Sequence, residues 1–157
     1  MYRVVEPVCM ANMIRSKILE AYLSRSQIQG NLGSNINTIQ SSGIFVGKGE
    51  RRSESERKEI SSITKAVLEE VGLPYTSFRR HTEKTSGVLY VPVGPREKIH
   101  LQNEFGIDAL CLPEILKCDE VPDPIVEKGI DSYRQYRDFV ANEIGKIEAF
   151  IRQVNLG

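Results

Sequence analysis

The chain has 157 residues, 40% of them hydrophobic and 27% charged, enough for one globular domain with a sizeable core and too few for two. Lysine plus arginine equals aspartate plus glutamate at 21 each, so no overall field draws the chain to nucleic acid or an anionic membrane, and such contact needs a local patch. No run approaches the roughly 18 apolar residues of a membrane span, and MYRVVEPVCM has an acid and a proline where a signal peptide keeps an apolar segment, so a cytoplasmic protein is expected.

In chain order, Tyr2 to Val8 reads as a short strand that Pro7 confines to an edge or a lead-in. Met10, Ile14, Ile18 and Tyr22 step by four, which predicts a helix from about Met10 to Arg25. The polar stretch 26–42, anchored by Ile28, Leu32, Ile36 and Ile39, reads as an ordered loop or a frayed helix, with a flexible arm as the alternative. Gly43 to Gly49 suggests a strand ending in a glycine turn.

The clearest element is Ser53 to Pro74. Ser53 and Glu56 form a capping-box pattern, Ile60, Ile63, Val67, Leu68 and Val71 make one apolar stripe, and Gly72-Leu73-Pro74 stops the helix. Tyr75 to Val93 then reads as two extended runs around Glu83–Gly87, a hairpin on which that helix packs. Gly94-Pro95 is a turn, Lys98 to Phe105 has no clear type, and Ile107 to Leu112 is apolar enough for a buried strand ended by Pro113. Cys118 to Pro124 is an acidic, proline-punctuated linker. A last helix over 131–155 carries Tyr136, Val140, Ile144, Ile147, Ile151 and Val154 as a seam that packs on the domain or, within 133–154, on a second copy. The expected architecture is a single α+β domain, with about three longer helices on a small, mostly antiparallel sheet containing the 75–93 hairpin.

Four stretches offer chemistry. GKGERR, with Lys48, Arg51 and Arg52 in a glycine turn before a helix, resembles a phosphate cradle in outline, but its spacing is not that of a Walker loop. FRRHTEKTSG gathers Arg79, Arg80 and Lys84 on one hairpin arm and tip, a form that holds a nucleic-acid backbone, and alternation would send Arg79 and His81 outward together. His81 and His100, helped by Glu83, could serve as base and acid in a nuclease or phosphodiesterase. A metal-nuclease carboxylate set fails, because Glu114 and Lys117 are three apart and Pro113 interrupts the strand that the template needs.

Cys9, Cys111 and Cys118 are odd in number and lack zinc-type spacing, so they read as reduced thiols, with no metal and no cofactor expected. The reading favoured by these residues is a nucleic-acid or other phosphate-partner binding module, oligomeric through its last helix, leaning away from catalysis. A nuclease or phosphodiesterase and a structural assembly protein are the alternatives.

Overall fold

The computed structural model describes residues 1–156. Its hub is β1 (Val4–Cys9), which is parallel to β2 (Thr38–Ile39) at Val4 and Val5, to β3 (Ser42–Gly43) at Val8 and Cys9, and to β4 (Val88–Pro92) from Val4 to Val8. Five helices accompany this four-stranded sheet: α1 (Arg15–Ile28), α2 (Glu54–Glu69), α3 (Pro95–Phe105), α4 (Leu112–Leu116) and α5 (Ile130–Leu156).

Side-chain alternation divides the core between the two faces of the sheet. Val5, Leu89 and Val91 face one cluster with Ile18, Tyr22, Tyr136, Val140, Ile147 and Ile151 of α1 and α5, while Val8, Val88 and Tyr90 face another with Leu101 of α3 and Ile107. Because both faces are covered, β4 is apolar at every position and all five of its residues are buried.

The fold is therefore α/β with a parallel sheet, and the expectation of a mostly antiparallel sheet is wrong. The 75–93 hairpin does not form: residues 75–87 are irregular apart from a single bridge between Gly43 and His81, and β4 joins β1 in parallel. Pro7 misled the reading of β1, which lies at the centre of the sheet. Val5 and Cys9 present their carbonyls to Gln40 and Ile44, and Val8 presents its own to Val93. Pro7 shares the phase of Val5 and Cys9, so its missing N–H falls in the gap between the end of β2 and the start of β3. Ile107 to Cys111 forms no strand, and Lys98 to Phe105 belongs to α3, which Pro95 opens at a first-turn position.

Other expectations hold. The Ser53–Glu56 capping box is present and α2 ends just before Gly72, whose φ of 73° needs a glycine. On α5, Tyr136, Val140, Ile147 and Ile151 are buried within the domain itself. Among the described residues no helix is long and apolar enough to cross a membrane.

Candidate active site

The helix expected from Met10 starts five residues later, and the residues in between build the site. Met10 to Ile14 is a loop joining the end of β1 to the start of α1. Open parallel sheets bind ligands at the carboxyl ends of their strands, where loop amides and a helix start converge. Asn12 takes the left-handed conformation at φ 55°, which asparagine tolerates better than most residues.

The buried side chain of Asn12 is held on three sides. Its Oδ1 accepts from the Arg80 amide at 3.0 Å, and its Nδ2 donates to Ser16 Oγ at 2.9 Å and to Ser41 Oγ at 2.8 Å. Ser41 passes the chain on, donating to Glu20 Oε1 at 2.6 Å, and Glu20 lies 3.9 Å from the buried Lys17 ammonium. Burial pushes the Lys17 amine below its ordinary range, against the pull of Glu20. The next carbonyl in the loop, that of Ala11, accepts both Nε (3.1 Å) and Nη2 (2.9 Å) of Arg79. So fixed, the loop leaves the amides of Ala11, Met13 and Ile14 without an acceptor among the described residues, which is the state of an anion-binding nest.

Cys9 closes β1 beneath this nest. Its sulfur shares a hydrogen bond with Ser16 Oγ at 2.9 Å and accepts from the Asn12 amide at 3.1 Å. Arg15, first residue of α1, is paired with the buried Glu97 of α3 at 3.1 Å. Burial opposes the Arg15 charge, but Glu97, Cys9, Tyr136 and Asp123 outweigh it and raise the guanidinium above its ordinary range. Cys9, Arg15 and Asp123 border one cleft of about 530 Å³, walled by Phe45, Ile60 and Ile125 and edged by Arg51, Arg52, Arg57 and Arg96. A sulfur nucleophile, a fixed guanidinium, loop amides and an exposed carboxylic acid around one space are the parts of a covalent phosphoryl-transfer site.

Of the residues singled out in the sequence, Arg51 and Arg52 border this cleft, whereas Lys48 is exposed in the turn before them. Arg79 does not face outward: it binds Ala11 and is ion-paired with Glu50. Arg80 lies over the ring of Phe78, and Lys84 reaches the Gly106 carbonyl at 3.4 Å. His100 stacks edge-on with Phe45 and bonds Glu104 at 3.0 Å, while His81 stacks on Phe105, and Glu83 contributes its carbonyl to the Tyr90 hydroxyl. None of His81, His100 and Glu83 borders the cleft of Cys9. Among the described residues no group of three or more His, Cys, Asp or Glu is placed to hold a metal ion.

The sequence reading missed Cys9, Arg15, Ser16 and Asp123. A signal existed in the valine-rich run Val4–Val8 followed by a cysteine and, six residues on, an Arg-Ser pair opening a helix. Asp123 sat unnoticed in the linker at 118–124, where an acid between two prolines looked like solvated punctuation.

No protein-family model and no curated protein matches the sequence. Solved structures do. The chain is similar to a mutant of YwlE from Bacillus subtilis, at 20% identity with a TM-score of 0.72 over 95% of this chain and 98% of that one. It is also similar to the YwlE arginine phosphatase of Geobacillus stearothermophilus, at 21% identity and a TM-score of 0.68 over 98% and 95% of the two chains. The tyrosine phosphatase Wzb of Escherichia coli K30, solved in complex with sulphate, matches at 16% identity and a TM-score of 0.68 over 98% and 99%. These likenesses, with the missing hairpin and the internally bound Arg79, overturn the nucleic-acid-binding module and its nuclease alternative. The chain has the fold of the low-molecular-weight protein tyrosine phosphatases, solved for one from Bacillus subtilis at 21% identity and a TM-score of 0.64 over 97% and 94% of the two chains.

Proposed function

We propose that the chain is a phosphatase that cleaves a phosphorylated side chain through a covalent phosphocysteine on Cys9. The lean away from catalysis in the sequence reading is thereby reversed. The observation that carries the proposal is the Cys9 sulfur, which accepts from the Asn12 amide at 3.1 Å with Ser16 Oγ 2.9 Å away and lines one cleft with Arg15 and Asp123. A YwlE variant with serine for cysteine, phosphorylated on its active-site serine, is a structural neighbour at 20% identity, which agrees with this reading.

In the first step the Cys9 thiolate attacks phosphorus and the bond to the leaving oxygen breaks. Arg15 and the loop amides hold the charge spread over the three remaining phosphoryl oxygens. Asp123 gives its proton to the leaving oxygen. In the second step Asp123, now a carboxylate, takes a proton from water as its oxygen attacks phosphorus; inorganic phosphate leaves and the sulfur regains its electron pair. The Ser16 hydroxyl and the Asn12 amide stabilise the sulfur as it departs. Glu97 sets the direction of Arg15 from the buried side.

Hydrolysis of p-nitrophenyl phosphate tests the proposal. Cys9→Ser is expected to fold and to show no turnover above buffer. Asp123→Asn is expected to lose about 10²- to 10⁴-fold in kcat on alkyl or phenyl phosphates and far less on the activated nitrophenyl ester, whose oxygen leaves without a proton. Full activity in Cys9→Ser would sink the assignment.

A further inference from the structure

The cleft at Cys9 gathers five arginines, Arg15, Arg51, Arg52, Arg57 and Arg96, against two carboxylates, Glu50 and Asp123. Arg15 is paired with Glu97, and Arg57 lies 3.9 Å from Glu50, so both are partly spent. Arg51 and Arg96 are exposed at the rim and have no carboxylate partner among the described residues. They come from separate elements, the turn before α2 and the first turn of α3, so their meeting at one opening is not the charged face of a single solvated helix. In a chain whose 21 cations cancel its 21 anions, this is a local excess of one sign. Below the rim the wall is apolar, with Phe45, Ile60 and Ile125, which suits the body of an amino-acid side chain better than a hydroxyl-covered sugar.

Resting on the phosphatase reading above, we infer that the substrate is an acidic phosphorylated segment of a protein. Its phosphorylated side chain enters between the apolar walls to Cys9, and carboxylates beside it in the peptide meet Arg51 and Arg96. A guanidinium can grip a carboxylate with two parallel hydrogen bonds, which gives direction as well as charge. Exposed pairs are weak one by one, so the preference is several-fold and falls with salt.

Two phosphotyrosine peptides test this, one with aspartate and glutamate flanking the phosphorylated residue and one with asparagine and glutamine in their places. Binding is read by fluorescence anisotropy on Cys9→Ser, and hydrolysis by phosphate release from the unaltered chain. The acidic peptide is expected to bind about five- to tenfold tighter at low salt and to show a similar gain in kcat/KM, carried by KM. Arg51→Gln with Arg96→Gln is expected to bring the acidic-to-neutral ratio close to one, as is about 0.5 M salt. Equal binding and equal kcat/KM for the two peptides would overturn the inference while leaving the phosphatase reading intact. A ratio unchanged in the double variant would overturn it too, and so would faster hydrolysis of a sugar bisphosphate than of the acidic peptide. Tighter binding of the acidic peptide through Arg51 and Arg96 with no hydrolysis of either peptide would do the reverse, keeping the rim and removing the phosphatase. If Cys9→Ser does not fold, the ratio of kcat/KM values decides alone.

Discussion

A side chain at position 43 would stop the loop after β1 from closing. A Cβ on Gly43 would stand 2.7 Å from the Asn12 nitrogen and 2.9 Å from the Ala11 carbonyl carbon, and neither is the movable end of a side chain. Its own amide donates to Arg80 at 2.8 Å and its carbonyl accepts from Thr82 at 3.2 Å, so Gly43 cannot retreat without releasing the segment that holds Asn12 and Ala11. Gly43→Ala is therefore expected to cost about 1–3 kcal/mol, as overpacking does. On the proposed function, activity well below the melting temperature is expected to fall further than that loss explains, because the clash lands on the Ala11–Ile14 loop beside Cys9. Calorimetry beside p-nitrophenyl phosphate turnover checks this, and wild-type turnover in the variant would refute it. Nothing in GIFVGKG told a reader which glycine lay under another loop. The same holds for Arg79, which alternation along a strand would turn outward and which instead supports the carbonyl of Ala11. Contacts across 68 residues of sequence leave no local trace.

At the scale of elements, α2 and α5 are locked by Glu70. Its carboxylate takes Arg134 Nη2 at 2.7 Å and Arg137 Nη1 at 2.5 Å, and Arg137 also donates to the Val67 carbonyl at 2.9 Å. Hydrogen bonds from Arg134 and then Arg137 hold the Glu70 carboxyl down at about 2, below its ordinary 4.5. A carboxyl depressed by folding contributes stability above its unfolded value and loses it as the pH falls, so this contribution is present above about 4.5 and gone near 2. Glu70→Gln is expected to flatten that part of the curve of melting temperature against pH, and added salt to shrink it, since Glu70 is solvent-exposed. Unchanged curvature between those two pH values would refute the lock. Helices like α2 were legible because their signals are local: a cap, a stripe of one period and a stop. The sheet was not. In β4 every residue from Val88 to Pro92 is buried, which a parallel strand covered on both faces requires, whereas the hairpin reading pairs that run with the irregular residues before the polar break at Glu83–Gly87. Pro7, read as an edge marker, sits where β1 has no partner for the missing donor.

At the scale of the whole molecule, Tyr2 and Asn155 clasp each other at the opposite end of β1 from Cys9. The Tyr2 amide donates to Asn155 Oδ1 at 2.8 Å, and Asn155 Nδ2 donates to the Tyr2 carbonyl at 3.1 Å, so the last turn of α5 fastens the residues that lead into β1. β1 is the strand against which all others pair, and its opposite end carries Cys9. The clasp therefore bears on how firmly the central strand is held, without touching the Met10–Ile14 loop. Asn155→Ala removes both bonds; at about 0.5–1.5 kcal/mol each, and about 2–4 °C per kcal/mol for a chain of this size, melting should fall by roughly 2–12 °C. Turnover at 25 °C is expected to match the unaltered protein, because the loss lies a strand's length from Cys9. A melting temperature within about 1 °C of wild type would show that the two ends are held by the apolar contacts of α5 alone, with the paired amide adding nothing.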